Sequence, residues 1–323
     1  MIDPIPQASV ILCAYSQERW QDLVAAVDSI RRQTTPAGEI IVVIDHNREL
    51  YKMALAQFPD IRVVENTEQQ GLSGARNTGV NNARFPVVTF MDDDATAEKD
   101  WLSCLLSSYR DERVMGIGGS VEPKWLEQPP GWFPDEFAWV VGCAYKGLPE
   151  TTSPVRNMMG CNMSFKRDMF IRAGGFRPTL GRSGGKFLIS CEETEFCIRA
   201  KHYFPGSQFI YEPRARIHHK VPAARSTWSY YRSRCYAEGL SKAWVANYVG
   251  ARDGLASERK YTLQTLPSGI LRRIKSSLIE GHRTGLLQAG AILAGLAITS
   301  MGYFIGQFTT RPDLSRISLP ESS

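Results

Sequence analysis

The chain has 323 residues, of which 43% are hydrophobic and 22% charged, and 38 Lys and Arg against 33 Asp and Glu give a formal net charge of +5. This composition excludes a disordered protein, a collagen and a coiled coil, and it allows one large domain or one domain with an appendage. The small, evenly mixed charge does not indicate a nucleic-acid-binding protein.

The seven cysteines are scattered without CxxC spacing. We therefore expect a reducing compartment, and neither a disulfide scaffold nor a zinc-type metal cluster. The first twenty residues lack a basic start followed by an apolar run, so no signal peptide is expected and the N-terminal part should stay in the cytoplasm.

Strand-like and helix-like stretches alternate along the N-terminal part of the chain. The predicted strands are 8–15, 39–45, 61–65 and 86–94, and the predicted helices are 17–33, 48–57 and one that Gly71 to Gly79 opens. This alternation predicts a parallel, doubly wound Rossmann-like sheet, in which ligands bind at the carboxyl ends of the strands. Asp45 and Asp92 to Asp94 lie at such ends.

The pattern changes after residue 123. Residues 124–156 are rich in Pro and Trp, and their hydrophobic residues follow no regular spacing. The later stretches have recognisable patterns again. They are strands at 157–166 and 208–219, a helix start at 190–200 after the Gly-rich run 181–186, a helix at 225–247, a basic amphipathic segment at 266–280 and an uncharged run at 284–310. The sequence therefore predicts an α/β protein with a helical C-terminal extension.

Asp92, Asp93 and Asp94 form the strongest chemical signal. Three adjacent carboxylates at one strand end repel one another, and a divalent cation such as Mg²⁺ or Mn²⁺ removes that cost. The alternative is a solvated turn before a helix, where Asp is also favoured.

Four motifs in order carry a resemblance to a known family. They are Ala14-Tyr15, Val43-Ile44-Asp45, Gly71-Leu72-Ser73-Gly74-Ala75-Arg76-Asn77-Thr78-Gly79 and Phe90-Met91-Asp92-Asp93-Asp94. Together they resemble the nucleotide-sugar site of family 2 glycosyltransferases, whose fold is called GT-A, over roughly residues 8–245. The family usually continues after the second strand with another acid and Gly-Ser, whereas His46-Asn47 follow Asp45 here.

The resemblance implies a GT-A domain over 1–250, with a donor half at 8–123 and an acceptor half at 124–250, and a C-terminal helical region at 251–323. It implies a nucleotide-sugar site formed by Ala14, Tyr15, Glu18, Asp45, Arg76, Asn77, Asp92, Asp93 and Asn162. In that site Asp45 would contact the base, Arg76 the base or the phosphates, and Asp92 the ribose. It implies Mn²⁺ or Mg²⁺ on Asp94, Asp92 and His219. Asp45 as a turn acid and Arg76 as a surface residue remain open alternatives.

Sugar transfer with inversion needs one carboxylate to take the proton of the acceptor hydroxyl. In the family an acid pair opens a late helix and its second acid is the base, which gives Glu193 that role, with Glu192 as the second candidate. The alternative is a pair of acids favoured by the helix dipole. The Gly-rich run before them, with Gly181, Gly184 and Gly185, is interpreted as a mobile loop over the site or as a surface turn.

Neighbouring strand residues point to opposite faces, so at most one of His218 and His219 should reach a metal. We favour His219, and a structural histidine is the alternative. Two aromatic stretches are ambiguous. One would stack on sugar rings or lipid chains, or would be a loop pinned to the core: Trp125, Trp132, Phe133, Phe137 and Trp139. The other is a basic-aromatic set that would bind a phosphate of the donor or of a lipid-linked acceptor, or would be an exposed helix face: Arg225, Trp228, Tyr230, Tyr231, Arg232 and Arg234.

The 27 uncharged residues between Arg283 and Arg311 are long enough to span a bilayer core. With the basic segment Leu271-Arg272-Arg273-Ile274-Lys275 before it, the run predicts attachment to the cytoplasmic face of a membrane through 284–308. A buried pair of core helices is the alternative.

These observations predict an inverting, metal-dependent glycosyltransferase that moves a sugar from a nucleotide sugar, with UDP favoured, to a glycan or polyprenyl-linked acceptor. The alternatives are a sugar nucleotidyltransferase and a non-catalytic glycan- or lipid-binding scaffold. The sequence has neither the G-x-G-x-x-G spacing of a dinucleotide site nor a phosphate loop, which disfavours a dehydrogenase or a kinase.

Overall fold

The structure, a computed structural model, describes residues 6–181, 190–250, 256–279 and 284–309. One mixed sheet of nine strands organises this part of the chain. The strands are β1 (Ala8–Ala14), β2 (Glu39–Ile44), β3 (Arg62–Glu65), β4 (Val87–Asp92), β5 (Ala95–Ala97), β6 (Val114–Trp125), β7 (Ser153–Val155), β8 (Asn162–Lys166) and β9 (Gln208–Val221). They lie in the order β3-β2-β1-β4-β8-β6-β9-β5, with β7 paired to β9.

Helices cover the sheet and extend beyond it. They are α1 (Trp20–Arg31), α2 (Arg48–Gln57), α3 (Leu72–Asn82), α4 (Trp101–Ser107), α5 (Asp168–Ala173), α6 (Glu192–Tyr203), α7 (Trp228–Val249), α8 (Ala256–Lys260), α9 (Leu266–Ile279) and α10 (Thr284–Phe308). Four short 3₁₀ helices lie at Gln17–Arg19, Ser108–Arg110, Asp135–Val141 and Ala223–Ser226, and a π-helical turn at Tyr261–Thr265 joins α8 to α9.

The N-terminal strands form the parallel part of the sheet. Strands β3, β2, β1 and β4 are parallel neighbours, whereas β8 runs antiparallel to both β4 and β6. Alternate residues of β1 enter different cores: Val10 and Leu12 pack on one face of the sheet and Ile11 on the other. The predicted α/β class with a doubly wound sheet is confirmed, and this packing explains the apolar runs, because both faces of the central strands are buried.

The aromatic residues of 124–156 pack against the protein. Phe133 and Phe137 lie with their ring centroids 6.0 and 5.5 Å from Tyr231 of α7, and Trp132 lies 5.4 Å from the same ring. Ring pairs at such distances stabilise a packed cluster. For these three rings the structure supports the packing interpretation.

The C-terminal helices pack onto the rest of the chain. Arg272 of α9 pairs with Glu136 (2.6 Å), and Arg273 pairs with both Asp135 (3.1 Å) and Glu136 (3.5 Å). These two arginines were predicted to suit an anionic membrane surface, but the acids of the Asp135–Val141 turn hold them instead. Within the part of the chain that the structure describes, α10 is the one helix long and apolar enough to span a membrane.

Candidate functional site

The turn from β4 to β5 presents the acid cluster. Asp92 ends β4, and Asp93 and Asp94 lead into β5, whose Ala95 is paired with His219 of β9. This pairing brings together the ligand atoms of Asp92, Asp94 and His219, which all lie within 4.8 Å of one another. The three residues predicted to bind a metal are therefore neighbours in the structure.

His219 and His218 face opposite sides of β9. His219 is buried, with its Nε2 3.3 Å from Oδ1 of Asp94, whereas His218 pairs with Glu98 at 3.2 Å. Sγ of Cys143 lies 3.9 Å from Nδ1 of His219, and a Cβ at Gly142 would come within 3.3 Å of the same ring. This packing fixes the ring with Nε2 directed at Asp94.

Two arginines lie near the same oxygen of Asp94. Arg19 lies 3.1 Å and Arg225 3.8 Å from Oδ2, while Oδ1 has no hydrogen-bond partner and faces His219. Burial opposes ionisation of Asp94, but His219 and the two arginines outweigh it and hold the pKa of Asp94 below its usual value. Burial raises the pKa of Asp93 to about 7, although Arg19 donates to it at 2.9 Å.

These residues fit a divalent cation. Oδ1 of Asp94 is a buried acceptor with no hydrogen-bond donor, and it lies beside an imidazole nitrogen and a second carboxylate. Two carboxylates and one imidazole suit Mn²⁺ or Mg²⁺, and the nitrogen favours Mn²⁺ because Mg²⁺ prefers oxygen alone.

Asp45 lies at the end of β2 in a hydrogen-bonded loop. Nδ2 of Asn66 donates to its Oδ1 (2.6 Å) and the backbone N–H of Gly71 donates to its Oδ2 (2.9 Å). The backbone N–H of Asp45 donates to the carbonyl of Ala14 (2.8 Å), and the exposed ring of Tyr15 follows Ala14. The sequence reasoning missed Asn66, although it follows the end of β3 just as Asp45 follows β2.

Arg76 is buried in the floor of the site, between Phe90 and Phe176. Its guanidinium donates to Glu192 (2.7 Å), to the carbonyl of Gly160 (2.8 Å) and to Asp92 (3.5 Å). Desolvation opposes its charge, but the carboxylates of Glu192 and Asp92 outweigh that effect and raise the pKa of Arg76. The surface alternative for Arg76 is wrong, because the side chain is 2% exposed.

Glu193 has different surroundings from Glu192. Among the described residues, no Lys or Arg is paired with Glu193, and the Thr194 hydroxyl donates to it at 3.3 Å. Burial, together with the charge of Glu192, raises the pKa of Glu193 to about 8. Of the two predicted bases, Glu193 is the one whose carboxylate no guanidinium holds.

One large cavity joins these groups. It has a volume of about 1350 Å³, and Asp92, Glu193 and His219 are among the residues that line it. Leu296 and Tyr303 of α10 also form part of its wall. The acid cluster and the apolar C-terminal helix therefore face the same space.

Three residues predicted to bind the nucleotide sugar have other surroundings. The side chain of Asn162 is fully buried and bonds Trp101 (2.8 Å) and the carbonyls of Ser120 (2.7 Å) and Ala215 (2.9 Å). Asn77 bonds the backbone of Phe176 in both directions, at 2.8 and 2.9 Å. Both amides join elements of the fold, and their roles in nucleotide-sugar binding stay predictions. Glu18 is exposed.

Arg19, next to Glu18, contacts the acids of the cluster, and sequence reasoning missed it. The 3₁₀ turn Gln17–Arg19 directs its side chain toward Asp93 and Asp94, an orientation that no local pattern reveals.

The predicted basic-aromatic face is also corrected. Arg225 and Arg234 are buried and Arg232 is exposed, while Trp228 stacks on Tyr231 with centroids 5.0 Å apart. The three arginines therefore do not form one surface. Of the Gly-rich run, the mobile-loop prediction for Gly184 and Gly185 lies outside the described residues.

The comparison with known families decides the identity. The family described as Glycosyl transferase family 2 matches residues 9–174, just over half of the chain. The chain belongs to glycosyl transferase family 2. The prediction of an enzyme that transfers a sugar from a nucleotide sugar is confirmed, over the nucleotidyltransferase and scaffold alternatives.

This glycosyltransferase has relatives similar in length. It is 33% identical to the glucosyl-dolichyl phosphate glucuronosyltransferase of Haloferax volcanii, over 94% of this chain and 97% of the relative. It is 25% identical to the succinoglycan biosynthesis protein ExoM of Rhizobium meliloti, over 85% and 91% of the two chains.

Solved structures of low sequence identity share its GT-A fold. The mannosyltransferase PcManGT of Pyrobaculum calidifontis, in complex with GDP-Man and Mn²⁺, has a TM-score of 0.56 at 18% identity, over 92% of this chain and 87% of that one. GalNAc-T7 with UDP, GalNAc and Mn²⁺ has a TM-score of 0.55 at 17% identity, over 84% and 58% of the two chains.

Proposed function

We propose that this family 2 glycosyltransferase is an inverting, divalent-cation-dependent enzyme that transfers a sugar from a UDP-sugar to a hydroxyl of a lipid-linked glycan. The observation that carries the proposal is the shared cavity, which is lined both by Glu193 and by Asp92 and His219 of the Asp92, Asp94 and His219 cluster. The metal cluster would then act on the leaving diphosphate, and Glu193 on the attacking hydroxyl, at the two sides of one sugar.

The donor nucleotide would lie at the carboxyl ends of β1 and β2. The exposed ring of Tyr15 offers a stacking surface, and Asp45 offers a carboxylate that has already accepted one hydrogen bond on each oxygen. The Asp45 side chain is 11% exposed, so one edge remains for a ligand. A single N–H donor, as in uracil, suits that edge better than the paired donors of guanine.

The catalytic step would be a single displacement at the anomeric carbon. Glu193 accepts the proton of the acceptor hydroxyl as its oxygen attacks, and the bond to the diphosphate breaks on the opposite face, which inverts the configuration. Arg76 holds Glu192, and this ion pair keeps the neighbouring Glu193 in place at the start of α6. A divalent cation held by Asp92, Asp94 and His219 would supply positive charge to the departing diphosphate.

A lipid-linked acceptor fits the part of the cavity that α10 lines. The wall there includes Leu296 and Tyr303 of the apolar helix α10. A related protein is named for glucosyl-dolichyl phosphate, an acceptor that combines a sugar, a phosphate and a polyprenyl chain. We place the enzyme at the cytoplasmic face of a membrane, where such an acceptor and a soluble nucleotide sugar can meet.

The test is transfer by the purified protein from a panel of UDP- and GDP-sugars to a short polyprenyl-phosphate glycan, with Mn²⁺, Mg²⁺ or chelator. We expect transfer from a UDP-sugar that chelator abolishes, and an inverted anomeric configuration by NMR. Asp94→Asn should abolish transfer, whereas Asp168→Asn, at an exposed acid of α5, should not. Full transfer in chelator or a retained configuration would contradict the mechanism, and preference for GDP-sugars would contradict the donor assignment.

A further inference from the structure

Helix α10 carries its small side chains on the inside and its large ones on the outside. The residues buried against the protein are mainly Gly and Ala, among them Ala289, Gly295, Gly302 and Gly306. The exposed face carries Leu286, Leu287, Leu293, Met301, Phe304 and Phe308, each more than half exposed.

This arrangement is the reverse of that in a surface helix of a water-soluble protein, whose large apolar side chains face the core. A continuous exposed face of such residues indicates a partner that is itself apolar. The small inner residues explain the close approach to the protein: a Cβ at Gly302 would collide with the backbone of Tyr236 in α7.

The charges around this face indicate which apolar partner it meets. Helix α9, which precedes α10 along the chain, carries three basic residues, Arg272, Arg273 and Lys275, and no acid. Arg272 and Arg273 are paired with Asp135 and Glu136, whereas Lys275 is exposed. An apolar helix preceded by an exposed cation is complementary to an anionic lipid surface.

The packing of α10 along α7 sets its orientation. The Tyr231 hydroxyl donates to the carbonyl of Ala291 (2.9 Å), and Trp244 donates to the carbonyl of Thr309 (3.2 Å). These contacts lie in the first third of α10 and just after its last residue, so α10 follows α7 over most of its length. Helix α7 carries the exposed charge of Arg232, which would have to enter the hydrocarbon if α10 crossed a bilayer.

We infer that α10 binds an anionic lipid surface through the face formed by Leu286, Leu287, Leu293, Met301, Phe304 and Phe308, and that it lies along the surface and does not span the bilayer. The catalytic domain then rests on the membrane through a helix that also walls its cavity. Both ends of α10 remain on the side of the catalytic domain.

The first experiment measures the topology of the full chain in a Gram-negative host. Alkaline phosphatase and green fluorescent protein are fused in turn after Ser323. A helix along the surface leaves the C-terminus in the cytoplasm, so the fluorescent fusion should be bright and the phosphatase inactive. An active phosphatase would show a spanning helix and overturn the proposal.

The second experiment measures flotation of the full chain with vesicles of phosphatidylethanolamine and phosphatidylglycerol. The double variant Leu293→Glu/Phe304→Glu should reduce the bound fraction at least tenfold without changing the melting temperature, because both side chains project away from the protein. Ile171→Glu is the matched control, since Ile171 is 73% exposed but lies on α5, and it should bind like the unmodified chain. Binding that the double variant does not weaken would overturn the assignment of this face.

Both readouts are independent of sugar transfer. Failure to transfer sugar from the proposed donor to the proposed acceptor would contradict the proposed function. It would not change the inferred orientation of α10 on the membrane.

Discussion

Glu192 and Glu193 are adjacent in the sequence, but their surroundings separate their roles. Glu192 forms an ion pair with buried Arg76 at 2.7 Å, so the guanidinium of Arg76 balances its charge. Glu193 lines the cavity and has a pKa raised to about 8 by burial and by the charge of Glu192. A carboxyl group with a raised pKa is a stronger base once ionised, which suits removal of a hydroxyl proton.

Replacing Glu193 with Gln should lower kcat by about a thousandfold, the scale of a lost general base. Binding of the nucleotide with Mn²⁺, measured by calorimetry, should change little because the amide keeps the shape of the side chain. Glu193→Asp keeps a carboxylate and should retain part of the activity. Normal turnover by the Gln variant would remove Glu193 from the mechanism.

The raised pKa of Glu193 predicts an acid limb in the pH profile of kcat/KM. The base must be ionised, so activity should fall about tenfold per pH unit below a pKa near 8.

The same group makes the stability depend on pH in the opposite direction to the activity. The folded protein binds the extra proton between the ordinary carboxyl pKa of about 4.5 and about 8, so the free energy of unfolding falls as pH rises through that window.

The Glu193→Gln variant is the control for this pH dependence, because it should lose the contribution of this group to the stability profile. An acid limb centred near the ordinary carboxyl pKa would show that burial does not govern this group.

At the scale of elements, the sequence predicted what depends on local pattern. Strands β1, β2 and β4 and helices α1, α2 and α3 follow the apolar periodicity of their own residues. The pairing of β5 with β9 could not be predicted, because it joins Ala95 to His219 across more than a hundred residues. That pairing completes the proposed metal cluster, so His219 could be proposed only by resemblance and strand alternation.

The same limit applies to Asn162 and Asn77. An amide after a strand or in a helix carries no sequence signal that separates a ligand contact from a contact between elements. Asn162 joins α4, β6 and β9 by three hydrogen bonds, all of them to residues distant in the chain.

Helix α3 depends on a glycine for its close approach to the loop that follows β3. A Cβ at Gly74 would collide with the backbone carbonyl of Gln69, in the loop where Asn66 holds Asp45. Gly74→Ala should therefore cost about 2–3 kcal/mol of unfolding free energy, as overpacking does, and weaken nucleotide binding.

Gly290→Ala is the matched control, because Gly290 is also helical and a Cβ there meets no atom within 4 Å. Alanine should stabilise that helix by about 0.5–1 kcal/mol. Chemical denaturation measures both variants, and equal effects would contradict the close approach at Gly74.

At the scale of the whole molecule, the C-terminal helices are joined to the catalytic domain by buried charge as well as by apolar contact. Glu136 is fully buried in the Asp135–Val141 turn, and Arg272 and Arg273 of α9 pair with it. The division into a catalytic domain at 1–250 and an extension at 251–323 stays a prediction, but the extension supplies the countercharge for an acid of that domain.

This dependence predicts that Arg272→Gln/Arg273→Gln destabilises the whole chain, because it leaves the Glu136 carboxylate buried without a cation. Loss of one side of a buried pair costs about 3–5 kcal/mol, and the 43% exposure of the Arg272 side chain places the expected loss at about 3 kcal/mol.

Adding Glu136→Gln removes the unpaired charge and should recover most of the loss, whereas Arg232→Gln, at an exposed residue of α7, should have little effect. Denaturant unfolding of the four proteins measures this cycle. If the double variant is as stable as the unmodified chain, the pairing with Glu136 does not hold the C-terminal helices in place, and α9 and α10 would then dock through their apolar contacts alone.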